Sequence, residues 1–259
     1  MPFVKSGEAQ IHYALEGQSG LPVLVFSNSL GANYSMWDPQ IPAFLKSFRV
    51  LRYDTRGHGQ SSDPPERCSI RHLAKDVLAL ADDLNLDSFH FCGLSMGGQT
   101  GMWLALNSPH RMNKLVLCNT AARIGTHEFW NTRIEAVRTG GMKQVACAVV
   151  ERWFTPAFRE KNLSIIANTQ RILERTNSEG YARCCGAVRD FDFRERLPRI
   201  QTTTLVISGT HDPATPPSEG HFLAEHIPGA RYVELNAAHL SNIEDQHRFN
   251  KEVAEFLNA

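Results

Sequence analysis

The run Gly93-Leu94-Ser95-Met96-Gly97-Gly98 constrains this chain more than any other. It follows the short apolar stretch Phe89-His90-Phe91-Cys92 and precedes a helix-like stretch from Gln99 to Leu106. A strand, a sharp turn with a serine between glycines, and a helix make a G-x-S-x-G elbow. The turn is tight, so a Cβ at either glycine would crowd the adjoining strand or helix. The serine is left at a strand end beside the first free N–H groups of a helix, where an oxyanion would be stabilised. So short a pattern also arises by chance, so its meaning depends on what the rest of the chain sets around it.

The surrounding pattern is an alternation of short apolar runs and helical stretches. Strands are expected at Gln10–Ala14, Val23–Phe26, Arg49–Tyr53, Phe89–Cys92, Lys114–Leu117, Thr204–Ile207 and Arg231–Glu234. Most are apolar at consecutive positions, as strands buried on both faces are, which predicts a mostly parallel sheet flanked by helices. Leu73, Val77, Leu80, Ala81 and Leu84 recur at helical spacing between two of these strands. The fold class is therefore α/β.

The alternation stops between about 121 and 197. Only helix-like segments occur there: His127–Arg138, Met142–Trp153, Leu163–Thr176 and a fourth around Tyr181–Val188. Asp192-Phe193-Arg194-Glu195 reads as a capping box opening a short helix on the way back. We expect a core domain formed by residues 1–120 and 198–259, with 121–197 inserted as a helical lid over the carboxyl end of the sheet. Residues 121–196 carry thirteen Arg and Lys against nine Asp and Glu, in a chain whose net charge is zero. A positive lid on a neutral protein is either a solvated surface or a means of holding an anion.

Bulk properties exclude several other classes. A neutral chain with 21% charged residues has no global affinity for nucleic acid or an anionic membrane. No apolar run approaches the ~20 residues of a membrane span. The start, Met1-Pro2-Phe3-Val4-Lys5-Ser6, lacks a signal-peptide layout, so a cytoplasmic protein is expected. The six cysteines show neither zinc-ligand spacing nor a C-x-x-C pair, so they read as small buried hydrophobes and no metal is expected. Sequence gives no oligomeric state.

A serine hydroxyl needs a base near neutral pH, and the base needs an orienting carboxylate. In this architecture they follow in the order Ser, Asp or Glu, His, each after a later strand. Thr204–Ile207 leads through Ser208-Gly209-Thr210-His211 to Asp212, and Arg231–Glu234 leads through Leu235-Asn236-Ala237-Ala238 to His239. Ser95 is thus the expected nucleophile, His239 the base and then acid, and Asp212 the carboxylate that holds the imidazole. The strand before the insertion offers only Asn119 as a rival for the acid. Asp190 and Asp192 read as helix caps, and His211 as packing. The loop Ser27-Asn28-Ser29-Leu30-Gly31 should supply the second oxyanion donor, so the backbone N–H groups of Leu30 and Met96 form the expected pair.

With these elements in place, the chain resembles the α/β-hydrolase family over essentially its whole length. Arg52-Tyr53-Asp54-Thr55-Arg56-Gly57-His58-Gly59-Gln60-Ser61 looks like that family's structural loop. Ser27–Gly31, Leu51–Ser61, Cys92–Gly98, Leu117–Gly125, Arg152-Trp153-Phe154-Thr155 and Gly180-Tyr181-Ala182 with the cysteine pair resemble the 3-oxoadipate enol-lactone hydrolases within it. Most family members have His-Gly where this chain has Asn28-Ser29, and the departure is toward the lactonase group. The resemblance implies a small anionic lactone as substrate, an acyl-enzyme, no cofactor, and a place in aromatic catabolism. It would give the basic lid a purpose. Trp130 and Trp153 are candidates for the pocket wall and Arg123 and Arg133 for the substrate carboxylate, although spacing does not show which lid arginine faces inward.

Overall fold

The computed structural model describes residues 2–259. Eight strands form one sheet: β1 (Phe3–Ser6), β2 (Ala9–Glu16), β3 (Val23–Ser27), β4 (Arg49–Tyr53), β5 (Phe89–Leu94), β6 (Met112–Cys118), β7 (Thr204–Gly209) and β8 (Arg231–Leu235). Their order is β1-β2-β4-β3-β5-β6-β7-β8. The two ladders made by β2 are antiparallel and the other five are parallel. The α/β-hydrolase fold expected from sequence is thus present. β1 lies outside the strands expected from sequence: it is only four residues long, it alternates between exposed and buried, and its order comes from pairing with β2 across a Gly7 turn.

The consecutive apolar residues of the central strands are explained by cover on both faces. Val25, Phe91 and Leu115 lie in register on one face. The helix Met96–Asn107 rests there: a Cβ on Gly101 would come within 2.8 Å of Leu115 and 3.0 Å of Phe91. Phe26, Cys92 and Val116 share the other face. There Phe26 stacks on Trp37 at 4.5 Å and meets the edge of Phe44, while Trp37 reaches Phe249. Each fully buried aromatic of this kind contributes roughly 1.5–3 kcal/mol of apolar burial.

Between β6 and β7 every element is helical. The long helix His127–Trp153 is interrupted at Gly141, whose φ of 71° divides it in two where the sequence places a break. Leu163–Arg175 and Ser178–Arg189 follow as expected, with an additional short helix at Pro156–Lys161. The return segment holds a short helix, as expected, but the expected capping box does not form. Arg194–Arg199 is a 3₁₀ helix containing Pro198, and Asp192 accepts from the Arg194 N–H and pairs with its guanidinium instead of opening an α-helix. Asp190 stands at the C-cap of the helix Ser178–Arg189, as the cap reading expected, and also pairs with Arg67 and Arg189. No helix among the described residues is long and apolar enough to cross a membrane.

Candidate active site

Five adjacent parallel strands, β3, β5, β6, β7 and β8, deliver the site at their carboxyl ends, where open α/β sheets present ligand-binding loops. β5 delivers Ser95 through the elbow. Its φ of 59° and ψ of −115° are strained for a residue with a side chain, at a cost of order 1–3 kcal/mol. The glycines make the turn possible. A Cβ on Gly93 would lie 2.2 Å from the Gly97 carbonyl oxygen, and one on Gly97 would lie 2.3 Å from that of Ser27. The turn is tied down by the Ser95 N–H to the Cys118 carbonyl at 2.9 Å and by the Thr120 hydroxyl to the Ser95 carbonyl at 2.7 Å. The Ser95 side chain is left to face a cavity.

β7 and β8 bring Asp212 and His239 together. His239 Nδ1 lies 2.7 Å from Asp212 Oδ2, with both side chains buried. The same carboxylate oxygen accepts from the Thr215 hydroxyl at 2.7 Å and the Asn119 amide at 3.0 Å. The other oxygen accepts from the N–H groups of Ala214 and Thr215 at 2.8 and 3.1 Å. Burial pushes the Asp212 carboxyl up, but His239, Thr215 and Asn119 outweigh it and hold it below its ordinary value. Asp212 is therefore ionised near neutral pH. Asn119, by sequence only a rival for the acid, serves as a clamp. Its amide also donates to the Ala238 carbonyl at 3.1 Å, and its oxygen accepts from Ser241 at 2.6 Å. His211 is exposed and bonded to Asn236, not packed inside.

β3 leads into Asn28-Ser29-Leu30-Gly31. Asn28 is buried; its amide donates to the Tyr53 carbonyl at 2.7 Å and its oxygen accepts from Trp37 at 3.0 Å. The Gly97 N–H donates to the Asn28 carbonyl at 3.1 Å, joining this loop to the elbow. Trp37 is thus core, and it also holds the loop. Among the described residues, neither the Leu30 nor the Met96 N–H has a hydrogen-bond acceptor.

Ser95, Leu30 and His239 open into one cavity of about 190 Å³. Trp130, Arg133 and Trp153 line it, as does Arg152, which sequence reasoning did not single out. Arg123 is not among its lining residues. Trp130 is anchored by its indole N–H to the Ile124 carbonyl at 2.6 Å. The guanidinium carbons of Arg133 and Arg152 lie 5.0 and 5.3 Å from the centre of the Phe129 ring. Arg133 donates to the Tyr181 hydroxyl at 3.2 Å, and among the described residues neither arginine forms an ion pair. Burial and then the neighbouring Arg133 charge lower the proton affinity of Arg152. An anion placed between them would relieve that repulsion. The only sequence signal for Arg152 was its place in the Arg152-Trp153-Phe154-Thr155 stretch.

Comparison with known proteins agrees with this architecture. Residues 22–246 match the model of the alpha/beta hydrolase fold family. Two proteins of Acinetobacter baylyi are similar: 3-oxoadipate enol-lactonase 2 is 44% identical over 95% of this chain and 92% of its own length, and 3-oxoadipate enol-lactonase 1 is 41% identical over 91% and 88%. The crystal structure of the enol-lactonase from Burkholderia xenovorans LB400 superposes with a TM-score of 0.98 at 46% identity, covering all of both chains. On its sheet order, its elbow and these matches, the chain belongs to the alpha/beta hydrolase family.

Proposed function

We propose that this chain hydrolyses 3-oxoadipate enol-lactone to 3-oxoadipate, a step of aromatic catabolism, through an acyl-enzyme on Ser95. The observation that carries the reading is a single cavity holding Ser95 and His239 together with two arginines that, among the described residues, form no ion pair. The relatives described above support the choice of lactone.

Ser95 Oγ attacks the lactone carbonyl carbon while His239 Nε2 takes its proton. Asp212 stabilises the resulting imidazolium through Nδ1. The N–H groups of Leu30 and Met96 receive the oxyanion. Collapse of the tetrahedral intermediate breaks the ring C–O bond and expels an enolate oxygen. That group leaves more readily than an alkoxide, takes the proton from His239, and its enol relaxes to the ketone. Water then gives a proton to His239 and attacks the acyl carbon; Ser95 departs with that proton, releasing the second carboxylate. Arg133 and Arg152 hold the acetate arm, and the helical insertion acts as a lid that excludes bulk water.

Purified protein should open the enol-lactone far above its spontaneous rate and much faster than a neutral ester of similar size. Hydrolysis of the neutral ester with the lactone left at its spontaneous rate would refute the substrate assignment.

The arginines should act on binding. Arg133→Ala and Arg152→Ala should each raise KM for the lactone about 10- to 100-fold with little change in kcat, the pattern for a contact made equally in ground and transition states. Steady-state kinetics against both lactone and neutral ester check this. An unchanged KM removes that arginine from the carboxylate site.

A further inference from the structure

We propose that His58 is a positioning residue for acyl transfer: its neutral imidazole accepts the Gly31 N–H and thereby fixes the direction of the adjoining Leu30 N–H. The proposal rests on the reading above, in which Leu30 is an oxyanion donor.

The Gly31 N–H donates to His58 Nε2 at 3.0 Å. Nε2 can accept only if the ring proton sits on Nδ1. Nδ1 lies 3.1 Å from the Arg56 carbonyl, which can only accept, so the tautomer is set by the backbone of the 54–61 loop. The ring is buried. Burial pushes its pKa below the ordinary histidine value against the pull of Arg56 O, Asp54 and Asp63. Asp54 is itself engaged by His12 and the Tyr34 N–H, and Asp63 by Arg183. The neighbouring ring of Tyr181, at 6.3 Å, carries a phenol that burial keeps protonated.

Gly31 is held from its other side as well. Thr176 Oγ1 lies 3.3 Å from the Gly31 carbonyl. With φ at +90°, a Cβ there would come within 2.9 Å of Leu173 and 3.0 Å of Tyr181. At the start of the loop Asn28 is fixed by Tyr53 and Trp37. Leu30 thus sits between two pinned points, and His58 is the side chain that pins the second from the core. Loss of that acceptor leaves a buried N–H unsatisfied and frees the peptide to rotate. A donor displaced by a fraction of an ångström loses much of its transition-state stabilisation.

The test compares His58→Phe, which keeps a ring but no acceptor, with His58→Gln, whose amide oxygen can reach the place of Nε2. Active sites are counted by the p-nitrophenyl acetate burst on Ser95. His58→Phe should lower kcat per titrated site about 10- to 100-fold, with KM for the lactone within about 3-fold of wild type. Acylation by p-nitrophenyl acetate should fall in parallel, and His58→Gln should recover most of both losses. Wild-type kcat per site in His58→Phe, or no recovery in His58→Gln, overturns the proposal. Histidine ¹⁵N spectra of the wild-type protein judge the hydrogen bond without turnover or a foldable variant: His58 Nε2 should be unprotonated at neutral pH, and a protonated Nε2 overturns it. A wild-type protein that cleaves p-nitrophenyl acetate but not the lactone refutes the substrate alone. One that cleaves neither refutes the acyl-transfer reading and leaves the ¹⁵N result to judge the contact.

Discussion

Ser95→Ala is expected to lower kcat for the enol-lactone about 10⁵- to 10⁶-fold while leaving the fold intact. The loss is that large because in the proposed mechanism the hydroxyl is the attacking group, and no neighbour can replace the bond it forms. The fold survives for a local reason. Alanine keeps the same Cβ, so the strain at φ 59° is unchanged. The hydrogen bonds that secure the turn run through the Ser95 backbone to Cys118 and Thr120, not through the side chain. Kinetics and thermal unfolding on the same sample separate the two effects. A loss under 10-fold with unchanged Tm would remove Ser95 from the nucleophile's role.

Asp212→Asn is expected to lower kcat about 10⁴-fold. Five donors converge on this carboxylate: His239, Thr215 through both its hydroxyl and its N–H, Asn119 and the Ala214 N–H. An amide offers only one accepting oxygen. With its NH₂ group toward the backbone, two N–H donors lose their partner. With NH₂ toward His239, the imidazole must accept at Nδ1, which puts its proton on Nε2 and removes the proposed base from the cavity side. Either orientation also costs stability, about 1–3 kcal/mol per buried group left unsatisfied, so Tm should fall with kcat. The native carboxyl is held below its ordinary pKa. Its stabilisation is therefore present above the ordinary carboxylate range and is lost only as pH falls through the depressed value. A variant retaining more than a tenth of wild-type kcat would show that His239 does not depend on Asp212 for its tautomer.

Much of this molecule was legible because its signals are local. The central strands announce themselves by consecutive apolar residues, since both faces of the sheet are covered. The break at Gly141 is readable because a glycine pair interrupts a helical pattern. β1 was not legible, because four alternating residues gain order only from a partner strand. The 192–199 segment misled because Asp192 found a nearer partner in Arg194, and Pro198 removes a helical donor.

The sequence by itself determined the elbow, the mostly parallel sheet, the helical stretch between β6 and β7 and the chain order of Ser95, Asp212 and His239. Each depends on a short stretch of chain followed by a predictable turn, so neighbouring residues carry the information. Only the tertiary structure decided which arginines meet the cavity. Arg133 and Arg152 stand on opposite sides of the Gly141 break, and the fold sets both beside Phe129 while leaving Arg123 off the cavity wall. It also decided that Asn119 clamps Asp212 and that His58 receives Gly31. These are contacts between segments remote in sequence: the helical segment after β6 sets the arginines, and loops at the carboxyl ends of the neighbouring strand pairs β6/β7 and β3/β4 set the Asn119 and His58 contacts. Residue spacing encodes which face of a helix is apolar, but not what another part of the chain places against it.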